Sequence, residues 1–192
     1  MNYKILGFVL LVLFYIIYFG KMYAQSKKGI KTNQMIHGNK DKKLKFQEFA
    51  MKLITFLVII IEVLSILLNW SILNNTFRSV GVVIGIISIL VFFLSVYTMK
   101  DSWRAGITDD ETELITNGIY KYSRNPAFLG FYLIYISILL MFFNYLLLVV
   151  SLLAIVSLHL QVLHEEKSLE SIFNKEYNKY RKKVYRYLGK RK

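Results

Sequence analysis

Apolar residues along this chain are gathered into long blocks. Ile5 to Gly20 carries no charge, Leu53 to Leu73 is interrupted only by Glu62, and Val80 to Met99 is uncharged throughout. Ala127 to Leu163 runs for 37 residues without a formal charge. A spanning helix needs about 20 such residues to cross a hydrocarbon core of about 30 Å. At about 1.5 Å per residue the last block would be roughly 56 Å long, an excess that tilt does not absorb. It therefore divides into two helices, and the polar break at Asn144 in Phe142-Phe143-Asn144-Tyr145 marks the turn. Further on, Leu169, Ile172, Phe173, Tyr180, Val184 and Leu188 recur at helical spacing among Lys and Arg, which predicts an amphipathic helix on the membrane surface. The fold class read from this pattern is an all-α integral membrane bundle of five transmembrane helices. Its last two helices form a hairpin, and a C-terminal interfacial amphipathic helix follows.

Charge placement supports that count. Residues 21–52 hold nine Lys, residues 100–126 hold Lys100, Arg104, Lys121 and Arg124, and the tail from 164 holds ten Lys or Arg. With five spans these 23 basic residues share one side, and only Lys4 and Arg78 fall on the other. Four spans would move the basic tail across. The positive-inside rule then puts the N-terminus outside and the C-terminus in the cytoplasm. Lys21, Lys27, Lys28 and Lys31 follow the first block and no small-x-small site follows promptly, so it reads as a reverse anchor rather than a cleaved signal.

Composition narrows the function classes. The 192 residues are 55% hydrophobic, 16% aromatic and free of cysteine, with a net charge of +13. That excludes a disordered tail, a disulfide scaffold and thiolate metal or redox chemistry. On a soluble chain the basic excess would point to nucleic acid. Between apolar blocks it points to topology and to anionic membrane lipids, with no nucleic acid among the expected partners. Three scattered histidines suggest no metal.

The hairpin places chemistry-bearing residues together. Arg124 and Glu165 lie about equally far from the turn, so Arg124-Asn125-Pro126 meets His164-Glu165-Glu166 at the cytoplasmic mouth of one helical pair. A cation, an amide and two carboxylates suit a zwitterionic ligand that carries an ammonium or sulfonium beside a carboxylate. The plainer reading is that Asn125-Pro126 only caps and starts a helix and that the glutamates are solvated.

Here the sequence resembles a known family. Thr112-Glu113-Leu114-Ile115-Thr116-Asn117-Gly118-Ile119-Tyr120 is followed by Arg124-Asn125-Pro126-Ala127-Phe128-Leu129-Gly130. After the apolar hairpin come Glu165-Glu166-Lys167-Ser168-Leu169, Phe173, Glu176-Tyr177, Tyr180 and Val184. These elements are similar to the C-terminal core of the isoprenylcysteine carboxyl methyltransferase family, over about residues 112–188. The resemblance implies an integral-membrane methyltransferase that uses S-adenosyl-L-methionine. It implies cofactor-binding positions at Thr112, Glu113, Leu114, Ile115, Tyr120, Asn125, Pro126, Ala127, Phe128 and Glu165. It divides the chain into three N-terminal helices with a basic loop (1–99) and a methyltransferase core (100–192). Asn125 stands where the family commonly has His, and Phe128 where it has Tyr. Gln161 stands where enzymes acting on prenylated cysteine carry an arginine for the substrate carboxylate.

The expected activity is therefore methyl transfer to a lipid-like or isoprenoid acceptor, with Gln161 and Arg104 as substrate-binding candidates and Glu166 and Arg124 as catalytic ones. Such chemistry needs donor and nucleophile held in line and water kept out. An amine or thiol acceptor must also lose a proton, for which Glu166 and His164 are candidates. Two alternatives remain: carboxyl methylation of the prenylcysteine type, and a non-catalytic transport or scaffold subunit in which Glu62 lines the pathway. A charge at the depth of Glu62 costs about 2.5–3.5 kcal/mol by insertion scales, so this residue faces protein or is protonated.

Overall fold

A computed structural model describes residues 2–36, 40–104 and 113–190. Five α-helices follow one another: α1 (Tyr3–Ser26), α2 (Lys42–Leu67), α3 (Asn75–Met99), α4 (Pro126–Met141) and α5 (Tyr145–Lys183). Short 3₁₀ turns occupy Lys100–Ser102 and Gly118–Lys121. Four of the helices are long and apolar enough to cross a membrane. The exception is α4, with 16 residues, or about 24 Å at 1.5 Å per residue.

The turn between α4 and α5 falls where the polar break predicts it. Asn144 caps α5 by accepting from the Leu147 amide at 2.8 Å, and its own amide donates to Ser65 Oγ of α2 at 3.0 Å. The long basic segment is shorter than its composition suggests. α1 runs on to Ser26, six residues past its apolar block, and α2 begins at Lys42, eleven residues before its own.

The tail departs from the expectation of a separate surface helix. Residues 164–173 continue α5, and a kink at Asn174 (φ 38°, ψ −104°) separates them from a last helical stretch that ends at Lys183. Tyr180 and Val184 are buried with Tyr120 and Tyr177, and Leu169 and Phe173 pack against that cluster. Most of the apolar stripe thus finds its partner in the protein's own 114–120 loop. Only Ile172 and Leu188 remain largely exposed.

Both halves of the chain interlock. α3 lies against α4 so closely that a Cβ on Gly81 would stand 2.8 Å from the Ser137 carbonyl, and one on Gly85 would stand 2.6 Å from Ser137 Oγ. This Gly-x-x-x-Gly pair lets the backbones approach, as small residues do between membrane helices. Ser137 Oγ donates across the gap to the Gly81 carbonyl at 2.7 Å, and Ser88 Oγ donates to that of Gly130 at 2.8 Å. α2 in turn lies along α5, where Gln47 meets His164 at 3.0 Å.

Basic residues gather at one end of the bundle. That end is closed by a contact between distant segments, Gln25 donating to the Trp103 carbonyl at 3.0 Å, and by a local pair of Lys40 with the buried Glu48 at 2.8 Å. At the opposite end Arg78 is buried, donates to Asn69 at 2.6 Å and lies over the Tyr3 ring.

Candidate active site

The Arg124-Asn125-Pro126 segment reaches Glu166, as the hairpin geometry predicts. Pro126 starts α4, but the Asn125 side chain makes no capping bond there. Its amide donates to Glu166 Oε1 at 2.8 Å and to the Arg186 carbonyl at 3.3 Å. Arg124 Nη2 lies 3.2 and 3.3 Å from the two Glu166 oxygens. Arg186 adds bonds from Nε and Nη2 at 3.1 and 3.0 Å. Glu166 is only 6% exposed, so an anion withdrawn from water is neutralised by two guanidinium groups and an amide. Hydrogen bonding to Glu166 raises the Arg186 guanidinium further above its already high ordinary value.

A strap formed by the chain's end holds this cage. The Arg124 and Asn125 amides donate to the carbonyls of Tyr185 and Arg186, and the Gly189 amide donates to that of Tyr122 at 2.7 Å. Tyr187 reaches the helical pair, where its hydroxyl meets Tyr132 of α4 at 3.1 Å and hydrogen-bonds His159 of α5.

The remaining candidates fall on two sides of the cage. Ala127, Phe128, Gln161, Glu165 and Arg104 line one cavity of about 460 Å³. Gln161 donates to Glu165 at 3.1 Å, while its own carbonyl oxygen is buried without a hydrogen-bond partner. Arg104 bonds the carbonyls of Asp101 and Trp103. Leu114 and Ile115 pack beside the buried ring of Tyr120, whose hydroxyl meets Ser95 at 2.8 Å. Burial pushes the Tyr120 hydroxyl up, and the nearby Glu165 adds to that shift. Glu113 is exposed. Thr112 lies outside the described residues. His164 is engaged by Gln47.

The cavity has walls that sequence reasoning did not foresee. Tyr15, Phe19 and Met22 of α1 and Phe49, Leu53 and Phe56 of α2 face the α4–α5 pair across it. Phe19, Phe49, Leu53 and Phe56 are each more than half exposed, so the opening between α1 and α2 faces the surroundings of the bundle. Nothing in those two apolar blocks distinguishes wall residues from others. Arg186 and Tyr187 likewise carried no signal within a tail of many basic residues.

The chain is thus a helical bundle, with four helices long and apolar enough to cross a membrane, that holds a caged carboxylate beside a laterally open cavity. Residues 76–176, more than half of the chain, match the phospholipid methyltransferase family, and the chain belongs to that family. No curated protein matches it. It is accordingly a multi-pass membrane methyltransferase that uses S-adenosylmethionine to methylate a lipid acceptor. The residues present fit that donor. Arg124 keeps Nε and Nη1 buried without hydrogen-bond partners, which suits a carboxylate, and Glu165 offers an anion at the cavity wall for an ammonium group.

Proposed function

We propose that the acceptor enters sideways from the bilayer, between α1 and α2, and is methylated near Gln161 and Glu165. One observation carries this reading: a single cavity joins the exposed apolar residues Phe19, Leu53 and Phe56 to Ala127, Phe128, Gln161 and Glu165. Bound S-adenosylmethionine would supply an already activated methyl group. Glu165 would hold its ammonium and Arg124 its carboxylate, with Leu114, Ile115, Tyr120, Asn125 and Pro126 closing the pocket around it. Glu166, fixed by three donors, acts as a positioning residue that keeps Arg124 in place. An amine acceptor would react in its neutral form, its proton having gone to solvent. Residues 100–192 form the core in this scheme, and residues 1–99 supply the lipid-facing wall.

An uncharged or amine-bearing lipid-like or isoprenoid head is favoured over a carboxylate. Gln161 stands where enzymes of the isoprenylcysteine type carry an arginine, and its amide is turned to Glu165. Purified protein in lipid nanodiscs, given methyl-labelled donor, should place label in the organic phase in a form that base does not release. Base-labile label recovered as methanol would identify a carboxyl ester and overturn the preference.

All five helices span in this proposal, with the basic end cytoplasmic and in contact with anionic lipid. Single cysteines at Ser26, Ser102 and Ser171 should resist an impermeant maleimide in intact cells. Labelling of the Ser171 position would reverse the orientation of α5.

A further inference from the structure

Two tyrosines lie on the cavity wall within the apolar stretch of the bundle. Tyr15 and Tyr135 line the cavity there, and Tyr135 is fully buried. Their hydroxyls lie close enough to pair loosely with each other, and Glu62 of α2, itself fully buried, lies within electrostatic reach of both. Neither hydroxyl, nor either Glu62 oxygen, makes a well-formed hydrogen bond among the described residues. The unpartnered Gln161 carbonyl oxygen is buried on the same cavity's wall. A buried polar group without a partner costs about 1–3 kcal/mol, and a cavity meant only for alkyl chains gains nothing from several of them.

We infer that Tyr15 and Tyr135, backed by Glu62, form an anchor for a second, uncharged hydrogen-bonding group of the acceptor, a hydroxyl or a carbonyl. Tyrosine hydroxyls both donate and accept, so they suit either group. They, rather than the Glu62 carboxyl, meet the cavity, and an ammonium at this depth would bear the insertion cost of a charge, about 2.5–3.5 kcal/mol. Tyr135 is two helical turns beyond Ala127 on α4, so the anchor lies about 12 Å from the reacting end at 1.5 Å per residue. The substrate class is an apolar molecule with its methylated group at one end and a neutral polar group about 12 Å deeper. This rests on the proposed site of methyl transfer.

The test compares decylamine with its ω-hydroxy analogue in nanodiscs, using methyl-labelled donor. The wild type should show a ratio of kcat/KM favouring the hydroxy compound, and Tyr135→Phe should cut that ratio about five- to tenfold, the worth of one hydrogen bond. Using the ratio cancels differences in membrane partitioning between variants. Glu62→Gln should cut it by less. An unchanged ratio in Tyr135→Phe would overturn the anchor. Binding of both amines is also followed by fluorescence of Trp103, which lines the cavity. If neither amine is methylated, the reading of an amine acceptor fails, while a fluorescence preference lost in Tyr135→Phe would still support the anchor, and equal binding would refute it.

Discussion

Glu166 and Glu62 are both buried carboxylates in one bundle, at different depths and in opposite surroundings. Glu166 lies near the basic end and receives bonds from Arg124, Asn125 and Arg186. Glu62 lies deep among apolar helices, within electrostatic reach of the Tyr15 and Tyr135 hydroxyls. A saturated anion fixes the backbone around it and has no capacity left for a ligand. An unsaturated one has capacity but adds little to the fold. In the proposed scheme the difference separates a part of the site that is held by the fold from a part that would hold substrate.

Stability measurements should break or sharpen this contrast. Glu166→Ala should cost about 3–5 kcal/mol, because it leaves Arg124 buried without its counter-ion. Glu62→Leu should change stability by less than about 1 kcal/mol, since an apolar replacement removes unpaired polar atoms. Thermal unfolding of both variants in detergent decides it, and equal losses would erase the distinction. Arg186→Ala removes two charge-assisted bonds and should cost about 1.5–3 kcal/mol. Arg186→Lys should recover only part of that, because an ammonium cannot reproduce the two-pronged contact. Tyr187→Phe should cost less than the Arg186 substitution, about 0.5–1.5 kcal/mol, for its bonds to Tyr132 and His159.

Much of the bundle was legible because a membrane imposes simple rules. Block length and the distribution of basic residues gave the helix number, and Asn144 marked the hairpin turn. The meeting of Arg124 and Asn125 with Glu166 followed from their equal distance to that turn. Other features depended on contacts between distant segments. Leu169, Phe173 and Tyr180 have the spacing of a surface helix, and the sequence alone does not reveal that the 114–120 loop covers them. The walls from α1 and α2 were hidden because apolar residues also fill most of the other positions in the spanning parts of those helices. Arg186 was hidden among similar basic residues, since only the fold turns it back to Glu166. The approach of α3 to α4 did have a signal, Gly81-Val82-Val83-Ile84-Gly85, which predicts a close helix contact without naming the partner.

The central claim is that the methyl donor is held at the cavity wall by Glu165, beside the caged Glu166. Isothermal titration of S-adenosylmethionine into detergent-purified protein tests this directly. Wild type should bind, and Glu165→Gln should weaken binding by about 1.5–3 kcal/mol, the range for hydrogen bonds to a charged group. Glu170→Gln, whose carboxylate pairs with Arg181 on the exposed face, should bind as wild type does. Equal weakening by both substitutions would reduce the effect to surface electrostatics, and unaltered binding in Glu165→Gln would contradict the account.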